Sequence, residues 1–300
     1  MIDYVYLFLY KIFALLAKLL PKLVMDGILR GLSWFVYTVD GKHRHIIDAN
    51  LKLAFGEHLT QAQRDRIGQH TFYNLLQNII GFMGRNGYSK EKLLEKITFK
   101  NASIVENAII NNQKIIFITG HYSNWEMLPP LLTAKFGMTL VGIGRKLDSK
   151  VMDKVLIANR EKYNVEMLYR KGAIKGGMKA LKEGKALGLL VDQHLGAKQG
   201  GIEVTFFGHS VLHSPAASVL ARSMDAVIIP VFISTENYDH YTVTFYDPIL
   251  PIKTDNKEGD IVQMTQAQAD IMEQVIRNKP DEWFWVHKRW KGCYLEIYQR

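Results

Sequence analysis

Apolar and polar positions follow two different patterns along the chain, and the change falls near residue 114. Before it, apolar residues recur at helical spacing in several polar segments, which predicts helices at 43–55, 60–83, 89–95 and 101–111. After it, short apolar runs alternate with amphipathic ones. The runs predict strands at 115–119, 139–144, 164–168, 186–191, 202–207, 226–234 and 241–247, separated by helices near 125–135, 149–163, 173–183, 214–224 and 263–278. This alternation predicts an α/β fold with a mixed, mostly parallel central sheet flanked by helices.

Two local signals refine this outline. Thr60 is followed three residues later by Gln63, the spacing of a capping box at a helix start. Residues 236–239 form a short polar link between the last two predicted strands, which indicates a hairpin and therefore some antiparallel pairing.

The N-terminus has a third pattern, because residues 4–20 are almost wholly apolar or aromatic. Lys11, Lys18 and Lys22 fall on one narrow stripe of a helix, with apolar side chains around the rest. This pattern predicts a helix that lies in a membrane interface. A spanning helix and a buried core helix remain open, whereas a cleaved signal peptide fits worse, since no basic segment precedes the run and no small-residue cleavage site follows it. Residues 31–39, which include Trp34 and Phe35, extend the apolar surface.

No internal repeat, low-complexity tract or long linker divides the rest of the chain. We therefore expect an N-terminal membrane-anchoring helix at 1–25 and a single domain at 26–300. The one cysteine, Cys293, excludes an intrachain disulfide and a cysteine-rich zinc site. The formal net charge of +9 implies an acidic partner, which charge alone does not identify.

The strongest candidate site follows the predicted strand 115–119. This run is apolar and β-branched without alternation, as in a strand buried on both faces, and Gly120 ends it. His121 and Glu126 come next, where the chain turns from the carboxyl end of a strand into a helix, the usual place for sites in open α/β folds. The alternative is that both residues only cap a helix. His43 and Asp48 have the same spacing, but they lie in one predicted helix, where five residues place two side chains roughly 140° apart.

Other polar residues could converge on this place. Arg145 and the pair Asp192 and Gln193 follow predicted strands, and Arg160 lies on a predicted helix. Two clusters are basic. Lysines recur every three or four residues at 171, 175, 179 and 182, and residues 283–291 interleave three tryptophans with basic side chains. We interpret the second cluster as a contact with lipid headgroups or a polyanion rather than as core.

Four blocks follow one another along the chain, at residues 120–126, 192–193 with 206–208, 214–221 and 280–291. Together they resemble the bacterial lipid A late acyltransferases of the lysophospholipid acyltransferase superfamily. The segment 120–126, Gly-His-Tyr-Ser-Asn-Trp-Glu, is similar to the Gly-His-Phe-Gly-Asn-Trp-Glu block of that family. Asp192-Gln193 with Phe206-Phe-Gly208, the small-residue segment 214–221 and the Trp-rich segment 280–291 match the family's remaining blocks. Two departures are visible: Tyr122-Ser123 replaces Phe-Gly, and Gly144-Arg145-Lys146 replaces Tyr-Arg-Pro.

The resemblance implies transfer of a fatty acyl chain from acyl carrier protein, or less readily coenzyme A, to a hydroxyl of a Kdo-bearing lipid A precursor. His121 would be the general base, and Glu126 would orient and stabilise its imidazole. The oxyanion would take donors from backbone amides after Gly120 or from a nearby cation. Candidates for substrate contacts are Asn124, Arg145, Arg160, Arg170, Lys171, Asp192, Gln193, His287 and Arg289.

The same resemblance implies no cofactor, no metal and no nucleic acid, and a position on the cytoplasmic face of the bacterial inner membrane. Another membrane glycolipid or an aminolipid remains open as the acceptor. Two other classes are considered. A serine hydrolase using Ser123 lacks the Gly-x-Ser-x-Gly elbow, and an inert binding protein has no zinc finger, RNA-recognition or helix-turn-helix signature to support it.

Overall fold

The computed structural model describes residues 2–85, 88–146, 148–169 and 172–299. Its helices fall near the predicted places, except that the separate helix Lys22–Val39 was not predicted and the helix Lys257–Asn278 begins six residues before its predicted start. Thr60 and Gln63 form the expected capping box through hydrogen bonds in both directions. In chain order the helices are α1 (Ile2–Leu19), α2 (Lys22–Val39), α3 (Gly41–Phe55), α4 (Gln61–Arg85), α5 (Lys90–Leu94), α6 (Ser103–Ile110), α7 (Leu128–Phe136), α8 (Lys150–Glu161), α9 (Ala173–Lys182), α10 (Ala216–Met224) and α11 (Lys257–Asn278).

All seven expected strands are present, with ends that differ by a residue or two. In chain order the strands are β1 (Ile97–Lys100), β2 (Lys114–Thr119), β3 (Leu140–Gly144), β4 (Val165–Tyr169), β5 (Ala186–Leu190), β6 (Ile202–Phe206), β7 (His209–His213), β8 (Ala226–Thr235) and β9 (Tyr241–Phe245). The sequence pattern missed β1 and β7. β1 has only four residues, and the β6–β7 hairpin turns through Phe207 and Gly208, both at positive φ, rather than through a familiar Asn-Gly pair.

Seven strands form the central sheet in the order β1-β9-β8-β2-β5-β3-β4. All neighbours are parallel except β8 and β9, which pair antiparallel across the predicted 236–239 link. The expectation of a mixed, mostly parallel sheet flanked by helices is therefore confirmed. β2 lies between β8 and β5, and its residues 115–118 are buried on both faces of the sheet, as its unbroken apolar run predicts.

The N-terminal region is two helices, because Pro21 separates α1 from α2, and both pack against α4. Within the described residues, no helix is long and apolar enough to cross a membrane. Large apolar side chains nevertheless remain exposed along both helices. They are Phe8, Ile12, Phe13, Leu15, Leu16 and Leu19 of α1, and Leu23, Val24, Ile28, Leu32, Trp34, Phe35 and Val39 of α2.

The Trp-rich segment does not have the surface role that we expected from its composition. Trp283, Trp285 and Trp290 are buried in the main core cluster, where Phe206 and Phe207 of the β6–β7 hairpin contact them. Two of the indole N–H groups find hydrogen-bond partners there, since Trp283 donates to Asp192 and Trp285 donates to the Pro280 carbonyl. The prediction of a headgroup-binding tail is wrong for these three tryptophans.

Candidate functional site

His121 lies at the carboxyl edge of the sheet and is held there by Asp192. The Nδ1 of His121 lies 2.8 Å from Oδ1 of Asp192, and the backbone N–H of His121 donates to Oδ2 at 2.8 Å. Each residue follows a strand of the sheet by two positions, and the two strands, β2 and β5, are parallel neighbours. Sheet order therefore brings together two residues that are 71 positions apart in the chain.

Gly120 allows this close approach. A Cβ placed on Gly120 would lie 3.2–3.3 Å from Cβ, Cγ and Oδ2 of Asp192, tighter than ordinary contact. A side chain at this position would push the carboxylate away from the His121 amide. The close approach of Asp192 therefore favours a glycine at the end of this strand.

The electrostatics of the pair favour an imidazole that readily takes up a proton. Burial alone would lower the pKa of His121, but the charge and the hydrogen bond of Asp192, with a contribution from Glu126, raise the pKa above its ordinary value of 6.5. Burial likewise opposes ionisation of Asp192, yet the hydrogen bonds from His121 and the Trp283 indole hold its pKa far below the usual range. Asp192 is therefore a permanent carboxylate beside the ring.

The Nε2 of His121 is the atom left for chemistry. No hydrogen bond joins it to any residue that the structure describes, and the side chain keeps about 20% of its surface exposed. The rings of Trp125 and Phe284 pack around the imidazole with centroids 5.1 and 5.9 Å away. The ring is thus fixed on one edge and open on the other, as a general base must be.

Glu126 does not form the hydrogen bond that we expected. The structure gives the Nδ1 contact to Asp192, and Glu126 instead accepts from Nη2 of Arg160 at 2.9 and 3.2 Å. Glu126 lies in a short 3-10 turn before α7, opposite α8, so its carboxylate meets Arg160, one of the cations we expected near the site. The assignment of the tautomer-holding role to Glu126 is therefore corrected.

The first three backbone amides of the segment from His121 to Glu126 all donate hydrogen bonds within the protein. The amide of His121 donates to Asp192, that of Tyr122 to the Gly120 carbonyl at 2.8 Å, and that of Ser123 to the Glu282 carbonyl at 2.7 Å. These three amides are not free to bind an oxyanion, so the expectation of backbone donors is wrong for them and stays a prediction for the later amides of the segment. A nearby cation remains the other source.

Asn124 is a structural member of the site rather than a substrate contact. It is buried, its Oδ1 accepts from Nη2 of Arg85 at 3.1 Å, and its Nδ2 donates to the hydroxyl of Tyr241 at 3.3 Å. Burial lowers the pKa of Arg85 from its ordinary value. The amide thus ties the loop to α4 and β9.

The segment after Asp192 is fixed by His287. The Nε2 of His287 accepts a hydrogen bond from the backbone N–H of His194 at 3.0 Å, a role that requires a neutral ring, and burial lowers the pKa of His287 to about 4. Gln193 lies between Asp192 and His194 in the chain and is half-buried. His287 therefore positions the Asp192 segment, and its predicted contact with substrate remains a prediction, as does that of Gln193.

Arg289 does not fit the predicted contact with a substrate anion. Its side chain is 0% exposed, and its guanidinium donates to the Leu212 carbonyl and to Nδ1 of His213, at 2.9 and 2.8 Å. Burial lowers the pKa of Arg289 to about 10 and that of His213 to about 3, so the histidine accepts as a neutral ring. The pair joins the C-terminal segment to the β6–β7 hairpin.

The remaining basic candidates are exposed or lie outside the described residues. Arg145 is exposed and pairs with Asp148 at 2.7 Å rather than with any described residue of the His121 loop. The lysines of α9 that we expected on one stripe, at 175, 179 and 182, are exposed. Arg170 and Lys171 lie outside the described residues, so their predicted role in binding phosphates or sugar acids remains a prediction.

Three contacts of this site were not predicted from the sequence. They come from the Trp283 indole on Asp192, from Arg85 on Asn124, and from Asn78, whose side chain bonds the backbone of the loop. A signal for Asn78 exists, since Thr71, Asn74 and Asn78 recur at helical spacing on a buried face of α4. Buried polar side chains at such spacing need partners, and the His121 loop supplies the partner of Asn78.

Comparisons with known proteins identify the family of the chain. The profile of the family described as bacterial lipid A biosynthesis acyltransferase matches residues 1–292. A Shigella flexneri protein named lipid A biosynthesis acyltransferase 2 is 23% identical over 95% of this chain and 90% of its own length. The lipid A biosynthesis myristoyltransferase of Escherichia coli (strain K12) is 24% identical over 90% and 82%, respectively. A phosphatidylinositol mannoside acyltransferase of Mycolicibacterium smegmatis is 24% identical over 57% of this chain and 54% of its own. The chain therefore belongs to the bacterial lipid A biosynthesis acyltransferase family.

Proposed function

We propose that this protein transfers a fatty acyl chain from acyl carrier protein to a hydroxyl group of a Kdo-bearing lipid A precursor. The observation that carries the proposal is the His121 imidazole, fixed through Nδ1 by an ionised Asp192 and open at Nε2. A hydroxyl is a poor nucleophile at neutral pH and needs such a base within hydrogen-bond reach. The arrangement is that of a serine hydrolase triad with the acceptor hydroxyl in the place of serine.

The reaction then needs one proton relay. Nε2 of His121 takes the proton of the acceptor hydroxyl while its oxygen attacks the thioester carbonyl carbon. Asp192 stabilises the imidazolium that forms. The C–O bond is made, the C–S bond breaks, and the imidazolium returns the proton to the leaving thiolate. No nucleophile from the protein is required.

Glu126 and Arg160 supply the second part of the site. Their ion pair fixes the Arg160 guanidinium beside the loop, where its remaining N–H groups can bind a phosphate or the developing oxyanion. Glu126 also adds to the negative charge that favours the imidazolium of His121. Arg160 therefore stabilises negative charge on the substrate, and Glu126 stabilises positive charge on the imidazolium, as each develops in the transition state.

We further propose that the α1 and α2 faces lie on the membrane that holds the acceptor. α2 buries Leu29, Ser33 and Tyr37, of which Ser33 donates to the Gln69 carbonyl and Tyr37 donates to Asp65 of α4. Its outer half exposes large apolar side chains beside the cations Lys22 and Arg30, more apolar surface than an ordinary soluble helix presents. The charge of +9 suits an anionic lipid surface and an acidic carrier protein, which supports a position on the cytoplasmic face of the inner membrane.

Two alternatives have different support. A mannoside-bearing glycolipid is the second candidate acceptor, because the mycobacterial relative named for such a lipid shares about half of the chain. A hydrolase that uses Ser123 is disfavoured by the structure, since Ser123 is 1% exposed and its hydroxyl is buried without a hydrogen bond to any described residue. Hydrolysis, in which water replaces the acceptor hydroxyl at His121, is distinguished from acyl transfer by the assay below.

The test is a radiolabelled transfer assay in mixed micelles. Acyl carrier protein loaded with chains of roughly 10 to 16 carbons is the donor, with the matching acyl coenzyme A in parallel, and the Kdo-bearing tetraacyl precursor is the acceptor. Wild type is compared with His121→Ala and Glu126→Ala. His43→Ala is the matched control, because His43 has the same spacing to an acidic residue but binds Asp40, away from the loop.

We expect a pentaacyl product from wild type and His43→Ala, and a loss of at least roughly 10³-fold in His121→Ala. Thioester cleavage without transfer would favour hydrolysis or another acceptor, which a mannoside glycolipid in the same assay would identify. Undiminished transfer by His121→Ala would overturn the proposed base.

A further inference from the structure

Ser123 has an unusual backbone conformation for its residue type. Its φ of 49° lies in the left-handed region, which only glycine adopts without cost. The family block to which this segment is similar has Gly at this position, so the sequence departure falls on a residue whose conformation favours Gly. A serine persists there only if its surroundings determine the conformation.

Asn78 of α4 supplies the strongest part of those surroundings. The residue is buried, and its side-chain amide donates to the carbonyl of Ser123. Its Oδ1 faces the backbone N–H of Glu126 at 3.5 Å. One side chain thus contacts the backbone at two points of the same loop, and burial makes a broken contact expensive.

The other side of Ser123 is held as well. Its N–H donates to the carbonyl of Glu282 at 2.7 Å, in the segment where Phe284 donates to the carbonyl of His121 at 3.0 Å. Ser123 therefore has its N–H fixed by the C-terminal segment and its C=O fixed by α4. Removing the Asn78 amide releases one of these two constraints and leaves the other intact.

The consequence for chemistry follows from the position of Ser123 in the loop. His121 lies two residues before it and is bound to Asp192 through both backbone and ring. Glu126 lies three residues after it and is bound to Arg160. If residue 123 returned to a negative φ, the chain would leave His121 in a different direction and displace Glu126 and Arg160 relative to the imidazole.

We propose that Asn78 is a positioning residue for acyl transfer, which holds Ser123 in the left-handed conformation and so sets the separation of His121 from the Glu126–Arg160 pair. This inference rests on the proposed function. It assigns to α4, an element without catalytic groups of its own at this point, the task of fixing the two halves of the site against each other.

The first test removes the amide. Asn78→Ala deletes both contacts, and Asn78→Asp keeps the size and an acceptor but removes the donor to Ser123. We expect kcat in the transfer assay to fall roughly 10- to 100-fold in both variants with little change in KM, because displacement by about 1 Å has effects of this size. Asn74→Ala is the matched control, since Asn74 is buried one turn earlier on α4 and bonds Asp281 and Tyr238 rather than the loop.

A second substitution separates positioning from general destabilisation. Ser123→Gly removes the cost of the positive φ, so residue 123 no longer depends on Asn78 for its conformation. We expect Asn78→Ala combined with Ser123→Gly to recover much of the lost kcat. If Asn78 only stabilised the packing of α4, the glycine would give no rescue, and Asn74→Ala would lower kcat as much as Asn78→Ala.

Amide hydrogen exchange of residues 120–127 gives a readout that does not depend on turnover. We expect faster exchange in Asn78→Ala, normal exchange in Asn74→Ala and a return towards the wild-type rate in the double variant. If residues 120–127 of Asn78→Ala exchanged at the wild-type rate, the proposal would be overturned, whatever the transfer rate of that variant. An absence of transfer in wild type would instead overturn the proposed function, and the exchange data would still decide the role of Asn78.

Discussion

The two carboxylate oxygens of Asp192 have different hydrogen-bond partners, and this difference fixes the tautomer of His121. Oδ2 accepts two N–H groups, from the His121 backbone and the Trp283 indole, so this position must remain an acceptor. In Asp192→Asn the amide nitrogen would therefore take the Oδ1 position and donate to Nδ1, which would fix the proton on Nε2. That tautomer cannot accept the proton of the substrate hydroxyl.

We predict that Asp192→Asn lowers kcat by roughly 10² to 10⁴-fold while the folded structure is retained, because size and most hydrogen bonds are kept. Transfer rates and circular dichroism of the two proteins measure this. Asp48→Asn, which makes the same change at a carboxylate that binds Lys52 and Arg64 rather than His121, is the control. Wild-type rates in Asp192→Asn would refute the assignment of Asp192 as the partner of the base.

The pH dependence of transfer follows from the same contact. The base works only when neutral, so kcat/KM rises with pH, and the raised pKa of His121 places the midpoint of that rise above 6.5. Without the carboxylate, burial is the larger remaining influence and it lowers the pKa. The residual activity of Asp192→Asn should therefore reach its plateau at lower pH than that of wild type, and a midpoint that does not move would contradict this origin of the shift.

The residues of the site differ in how far the sequence could predict them. His121 follows a strand visible in the sequence, and its position was predicted correctly. The partner of His121 was not predicted, because the choice between Glu126 and Asp192 depends on β5 lying next to β2. The order of strands in a sheet cannot be predicted from the spacing of residues along the chain. Arg289 shows the same limit, since a basic residue in a basic segment suggests a surface although the fold buries it.

At the scale of elements, local patterns predicted the long helices and buried strands, whereas elements that depend on distant partners were missed. β1 is a four-residue edge strand that exists because it pairs with β9, and β7 exists because of the turn at Phe207 and Gly208. The Trp-rich segment was predicted at a surface because its composition is ambiguous. Its indoles are drawn into the core by the β6–β7 hairpin, which carries the matching aromatic rings.

This difference between a core segment and a surface helix can be tested with two tryptophans. Trp285 is 0% exposed and Trp34 on α2 is 59% exposed. We predict that Trp285→Ala lowers the free energy of unfolding by about 3–5 kcal/mol, since it removes a packed indole from the core. Trp34→Ala should change it by less than about 0.5 kcal/mol. Denaturant unfolding in detergent measures both, and equal effects would show that the two environments have been misassigned.

At the scale of the whole molecule, the exposed apolar side chains and the basic charge can serve one purpose. The outer half of α2 carries apolar residues next to glycine and threonine, and α1 adds a further apolar stripe. Such a surface is costly in water, and a lipid interface would cover it while the positive charge draws the protein to anionic headgroups. The domain would then present the His121 edge to substrates that are themselves membrane-bound or acidic.

We predict that the full chain binds vesicles of anionic lipid and that this binding depends on the α2 face. Ile28, Leu32 and Phe35 lie at i, i+4 and i+7 on that face, and all three are exposed. Replacing the three with serine removes about 3–5 kcal/mol of apolar burial in the interface, so vesicle affinity should fall by roughly 10²- to 10⁴-fold. Flotation with vesicles containing an anionic lipid, at low and high salt, measures the change.

The matched control replaces three apolar residues that are at least as exposed, Ile110, Leu250 and Leu295, with serine. Vesicle binding should survive in this variant, and transfer to a soluble short-chain acceptor should survive in both, because neither set belongs to the His121 site. Equal loss of binding in the two variants would mean that general surface hydrophobicity, not the α2 face, drives association. Undiminished binding by the α2 variant would leave α1 as the membrane contact and would refute the role proposed for α2, since α1 alone would then suffice to hold the protein beside its lipid acceptor.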